Sequence, residues 1–105
     1  MPIIEKRFRG SVICRVLGYP ISYGIVRLLL ERGQMDLEQI SNHFRRTKSS
    51  ICFLLTKLRL ANVVRYDRRG KTAIYWIKYP EQVKKILEAC EQMAERTTRR
   101  IAKDF

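Results

Sequence analysis

The sequence predicts a mostly α-helical single domain that carries one β-hairpin. Three observations predict it. Apolar residues recur at three- and four-residue steps over most of the chain, which is the helical period. One stretch, "VVRYDRRGKTAIYWIKY" at 63–79, departs from that period and is rich in β-branched and aromatic residues around a glycine. Breaks at Gly18-Tyr19-Pro20, at Gly33 and at "RRTK" separate helices short enough to fold as one unit of 105 residues with a modest core.

The first helix is expected over 3–17, with Ile4, Phe8, Val12 and Val16 four residues apart. Pro20 suits a first helical turn, so a second helix runs from there to about Glu31, with Ile21, Ile25, Leu28 and Leu29 inward and Gly33 closing it. Asp36 with Gln39 three residues on forms a capping-box pattern at the start of "DLEQISNHF", whose inward residues are Leu37, Ile40 and Phe44. "RRTK" connects to a fourth helix with Thr47 as its N-cap. On that helix Ile51, Leu55 and Leu58 share one side, with Leu54 at its margin. Ser49, Cys52, Phe53, Thr56 and Leu60 fall on the other. A hairpin follows, with strands near 63–68 and 72–78 and a basic tip at Arg69-Gly70. Pro80 opens a last helix of about 80–104, striped by Val83, Ile86, Leu87, Cys90, Met93, Ala94, Thr97 and Ile101. Four helices, a hairpin and a helix in this order describe a winged helix-turn-helix (α-α-α-α-β-β-α) with an added terminal helix.

The charge singles out one part of that arrangement. Lys and Arg number 22 against 10 Asp and Glu, a formal net charge of +12. Residues 45–71 hold nine of the cations (Arg45, Arg46, Lys48, Lys57, Arg59, Arg65, Arg68, Arg69 and Lys71) and a single acid, Asp67. A merely solvated surface mixes its signs more evenly, so the expected partner is a polyanion, with nucleic acid first. No apolar run approaches the ~20 residues of a membrane span, and "MPIIEKRFRG" lacks a signal-peptide pattern. A cytoplasmic protein is expected. Enzyme chemistry finds no support: there is no paired-carboxylate pattern, no Gly-rich phosphate loop, and His43 has no evident nucleophile partner. The three cysteines are too far apart for zinc-finger spacing.

With these residues in place, the chain resembles the ArsR (arsenic-repressor) family of transcriptional regulators over about residues 12–100. "LGYPISYGIVRLLLERG" is similar to that family's second-helix pattern, Leu-Ala-Asp-Pro-Thr-Arg followed by an apolar helix. "DLEQISNHF" is similar to its third helix. "KSSICFLLTKLRLANVVRYDRRGKTAIYWI" is similar to its recognition helix and wing, commonly Gln-Ser-Thr-Val-Ser-His-His-Leu and then a Gly-containing hairpin. The resemblance implies a repressor that binds double-stranded DNA as a homodimer over an inverted repeat. Where family metal sensors carry Cys-x-Cys, this chain has Asp36 and Glu38, and its last helix has no His. No metal and no cofactor are therefore expected, and Glu88, Glu91 and Glu95 read as a solvated face.

The candidate DNA-binding residues are Arg45, Arg46, Thr47, Lys48, Ser49, Ser50, Cys52, Phe53, Thr56, Lys57, Arg68, Arg69 and Lys71. The start of the fourth helix would meet phosphate, its outward side would read base edges, and the wing would meet the backbone or a minor groove. The candidate dimer interface comprises Ile4, Phe8, Val12, Val83, Ile86, Leu87, Cys90, Met93, Ala94, Thr97 and Ile101. Cys14, Cys52 and Cys90 are candidate thiol sensors of oxidant, reactive sulfur or metalloid, so a redox or small-molecule effector stays open. The plainer reading makes Cys14 and Cys90 small core residues. A different class of function is also open, a protein-interaction module that uses the exposed Phe53 and Leu60.

Overall fold

The structure, a computed structural model, describes residues 5–104, with side chains through residue 96. A short 3-10 turn, Lys6–Phe8, leads into α1 (Gly10–Leu17), and α2 (Pro20–Arg32), β1 (Gln34–Asp36), α3 (Leu37–Phe44) and α4 (Lys48–Leu60) follow. The hairpin β2 (Val64–Arg69) and β3 (Thr72–Ile77) and the long α5 (Pro80–Asp104) complete the chain. This is the expected helix-turn-helix, wing and terminal helix.

Two elements differ from expectation. The first helix is not continuous over 3–17: the 3-10 turn ends at Arg9, whose N–H bonds back to the Lys6 carbonyl at 3.3 Å, and α1 starts only at Gly10. A tighter turn breaks the four-residue stripe, so Phe8 does not lie over Val12 on one helix and is 52% exposed. Ile4 lies outside the described residues. The second difference is β1, which pairs antiparallel with β3 through Gln34↔Trp76, Met35↔Tyr75 and Asp36↔Ile74. The sheet therefore has three strands in the order β1-β3-β2.

The helix ends form as their sequences dictate. Asp36 accepts from the Gln39 N–H at 2.8 Å, and the Gln39 side chain accepts from the Asp36 N–H at 3.0 Å. Two donors that the helix itself leaves open are thus satisfied. Gly33 ends α2 at φ 86 and Gly70 turns the hairpin at φ 67, both in the region that favours glycine. Inside α2, Gly24 admits the edge of the Phe44 ring: a Cβ there would lie 3.0 Å from its Cε1.

The core lies between the helices and one face of the sheet. Ile25, Val26 and Leu29 of α2, Ile40 of α3, and Ile51, Leu55 and Leu58 of α4 are almost wholly buried, with Val64, Tyr75 and Ile77 closing the sheet side. From α5, Val83 and Leu87 join the same core. The Tyr23 hydroxyl donates to Glu91 Oε2 at 3.0 Å, and the Arg27 guanidinium pairs with the other oxygen of that carboxylate. Glu91 is therefore not a simply solvated carboxylate, as expected from sequence, but joins α5 to α2. Among the described residues no single helix is long and apolar enough to cross a membrane.

Candidate nucleic-acid interface

The fourth helix divides as its spacing demands. Ile51, Leu55 and Leu58 are fully buried, and Leu54 is half-buried at the margin. This apolar side fixes the rotation of α4, and so fixes what the opposite side shows. Ser49, Cys52, Phe53 and Leu60 are exposed there, and Thr56 is half-exposed. Phe53 and Leu60 keep 60% and 75% of their surface open. The Thr56 hydroxyl donates to the Cys52 carbonyl at 2.8 Å, so its proton is occupied while its oxygen can still accept.

The start of α4 is held by two local devices. Thr47 Oγ1 accepts from the Ser50 N–H at 3.1 Å, satisfying one open donor of the first turn. The buried Ser41 hydroxyl of α3 donates to the Arg46 carbonyl, pinning the turn between the helices. Arg45 caps α3 in the left-handed conformation, φ 54 and ψ 45, a region in which a side chain is strained. This places Arg45, Arg46 and Lys48 together at the mouth of α4, beside N–H groups whose dipole favours an anion.

All nine cations of residues 45–71 are exposed. Among the described residues only one of them, Arg69, has a carboxylate within ion-pair range, Asp67 at 4.0 Å. Two others lie over rings: Lys57 is 4.6 Å from the Phe53 centroid and Arg59 is 5.2 Å from that of Tyr66. Arg68, Arg69 and Lys71 surround the hairpin tip, where Arg69 pairs with Thr72 across Gly70 and Lys71. Tyr66 stacks on Tyr75 at 5.7 Å, stiffening the hairpin below that tip. Burial raises the Tyr75 hydroxyl above its ordinary pKa.

The proposed dimer residues divide into two groups. Val83 and Leu87 are buried in the core of their own chain, whereas Ile86 is half-buried and Cys90, Met93 and Ala94 are exposed along α5. Val12 is half-buried on α1. The side chains of Thr97 and Ile101 lie outside those described. The cysteines depart from their plainer reading: Cys14, Cys52 and Cys90 are all exposed free thiols. Cys14 and Cys90 line one apolar groove of about 440 Å³ between α1 and α5, with Leu17 and Ile86 beside them, while Cys52 stands apart on α4.

Known proteins share this architecture. No protein-family model matches the chain. An uncharacterised HTH-type transcriptional regulator of Methanocaldococcus jannaschii is 26% identical over 90 residues, covering 86% of this chain and all of that protein. The solution structure of a homodimeric winged helix-turn-helix DNA-binding domain of Mycobacterium bovis, described as a possible ArsR-family transcriptional regulator, superposes with a TM-score of 0.76 at 18% identity. It covers 93% of this chain and 94% of that one. HlyU of Vibrio cholerae superposes with a TM-score of 0.74 at 20% identity, over 86% of this chain and 97% of its own. The resemblance to the ArsR family drawn from the motifs is thus borne out in the fold, and the chain is a winged helix-turn-helix protein.

Proposed function

We propose that the chain is a sequence-specific double-stranded DNA-binding transcriptional regulator, a binding protein rather than an enzyme, that works in the cytoplasm. The observation that carries this reading is the concentration of nine exposed cations, with one acid among them, on the α3–α4 turn, α4 and the wing. The similarity to regulators of the same architecture supports it. In this reading the first turn of α4, Thr47 to Ser50, meets a phosphate with its N–H groups while Arg45, Arg46 and Lys48 flank it, and Lys57 meets the backbone further along the helix. Ser49, Cys52, Phe53 and Thr56 face base edges in the major groove, the hydroxyls by hydrogen bonds and Phe53 against a thymine methyl. Arg68, Arg69 and Lys71 meet the backbone or a minor groove.

The proposed assembly is a homodimer through α1 and α5 over an inverted repeat, with half-sites about one DNA turn apart, acting as a repressor. The homodimeric M. bovis domain favours it. Because Val83 and Leu87 serve the chain's own core, the contact surface among the described side chains comes from Phe8, Val12, Ile86, Cys90, Met93 and Ala94. The reading is tested by selecting duplexes from a random pool and measuring affinity against salt. A selected consensus, with affinity falling steeply as salt rises, is expected. Weak binding that is insensitive to salt would favour the rival, a protein-interaction module built on Phe53 and Leu60.

A second proposal concerns signal input and rests on the groove shared by Cys14 and Cys90. A peroxide would take two electrons and two protons from the two thiols, leaving a disulfide and two waters. Mass spectrometry and DNA binding before and after peroxide test it. Unlinked thiols and unchanged affinity would remove thiol control at this pair.

A further inference from the structure

A cavity of about 680 Å³ opens between α1 and α4, apart from the thiol groove and at the edge of the proposed DNA surface. Its walls are apolar where Val12, Val16, Tyr19, Phe53 and Leu54 meet. Three cations, Arg15, Arg46 and Lys57, also line it, and the described lining includes no Asp or Glu. None of the three has an ion-pair partner among the described residues; Lys57 rests over the Phe53 ring. The volume lies in the range of about 300–1,000 Å³ typical of small-molecule sites, which combine apolar walls with a few charged groups.

We infer that this cavity binds a free small-molecule carboxylate with an apolar body, and that its occupancy weakens DNA binding. The charge pattern selects the ligand class: apolar walls would take an aliphatic or aromatic body, and three cations without an acid would take an anionic head. A neutral apolar molecule would leave Arg15, which has no part in the DNA surface, unanswered, and a cation would be repelled.

The coupling rests on the DNA-binding reading above. Arg46, Ser50, Phe53 and Lys57 belong both to the cavity and to the surface assigned to DNA. A bound carboxylate answers the charge of Arg46 and Lys57, and its body holds Phe53 against α1. Both effects withdraw groups from the duplex, so ligand and DNA oppose each other reciprocally.

The test uses the full chain and decanoate below its micelle concentration, first without DNA. Calorimetry should show saturable binding of one decanoate per chain, and methyl NMR shifts should centre on Val12, Val16 and Leu54. Decanol should bind at least tenfold more weakly. Arg15→Glu, at an exposed site outside the proposed DNA surface, should weaken decanoate at least tenfold with an unchanged melting temperature. Val16→Phe, which fills the cavity, should do the same by steric means. No binding, equal binding of decanol, or shifts centred elsewhere overturns the site, as does a cavity found covered by a second copy in a solution dimer. In a second arm, saturating decanoate should raise the DNA dissociation constant about tenfold, within the usual range of such couplings. Decanoate binding in a protein that ignores duplex DNA would leave the site standing and overturn the DNA reading and the coupling. Decanoate and DNA binding without mutual effect overturns the coupling alone.

Discussion

Replacing Arg68 and Arg69 by alanine together probes the wing most directly. Both side chains are exposed on the hairpin, and neither belongs to the core. The fold should survive, with a melting temperature within a few degrees of wild type. On DNA each neutralised phosphate contributes about 0.9 to the slope of log affinity against log salt. Arg68 has no carboxylate partner among the described residues, while Arg69 keeps a loose tie to Asp67 at 4.0 Å. The double variant should therefore flatten the slope by about 0.9 to 1.8. Between about 50 and about 200 mM salt, the wild-type advantage should shrink about four- to twelvefold. Fluorescence anisotropy of a labelled duplex over a salt series reads this directly. The control is Lys84→Ala with Lys85→Ala on α5, which removes the same charge from exposed positions away from the wing. A folded wing variant whose slope equals wild type, or a control that flattens it equally, would refute the placement of the wing on DNA.

Other expectations follow from single contacts. Thr47→Ala loses the bond to the Ser50 N–H and should cost about 1 kcal/mol in chemical denaturation, while weakening DNA. Arg45→Gly should relieve the left-handed cap (φ 54) and raise stability by about 1 kcal/mol, yet lower DNA affinity; Arg45→Ala should lower affinity without that gain. Leu55→Ala empties a fully buried position and should cost about 2–5 kcal/mol. The Tyr23 hydroxyl is held above its ordinary pKa of 10.0 by burial and by its bond to Glu91. The native state then keeps this proton after the unfolded chain has lost it. Its contribution is full below about pH 10 and is lost as pH rises from there towards the higher native value. Tyr23→Phe should flatten that alkaline loss in denaturation curves measured between about pH 9 and 11.

Legibility from sequence tracked how local the governing physics is. The rotation of α4 was readable because Ile51, Leu55 and Leu58 obey the helical period and the core accepts all three. The caps at Asp36 and Thr47 were readable because each bond spans three residues. β1 was not, since a three-residue strand shows no alternation and Asp36 serves as both strand end and helix cap. The first helix was over-read because apolar spacing does not separate a 3-10 turn from an α-helix, and Gly10 favours a break. The exposure of Cys14 and Cys90 and the role of Glu91 depend on where α5 lies against α1 and α2, a long-range fact. The same holds for the cavity between α1 and α4, whose walls come from positions as far apart as Val12 and Ala61.

Whether α4 and the wing form one surface for duplex DNA is decided by titrating isotope-labelled protein with a selected duplex and following every backbone amide by NMR. Perturbation is expected at Thr47 to Ser50, along the Cys52 and Phe53 side of α4, and at Arg68 to Lys71, with the α2–α5 contact around Tyr23 and Glu91 unmoved. Perturbations confined to α5, or an unperturbed α4 and wing at saturating duplex, would contradict such a surface.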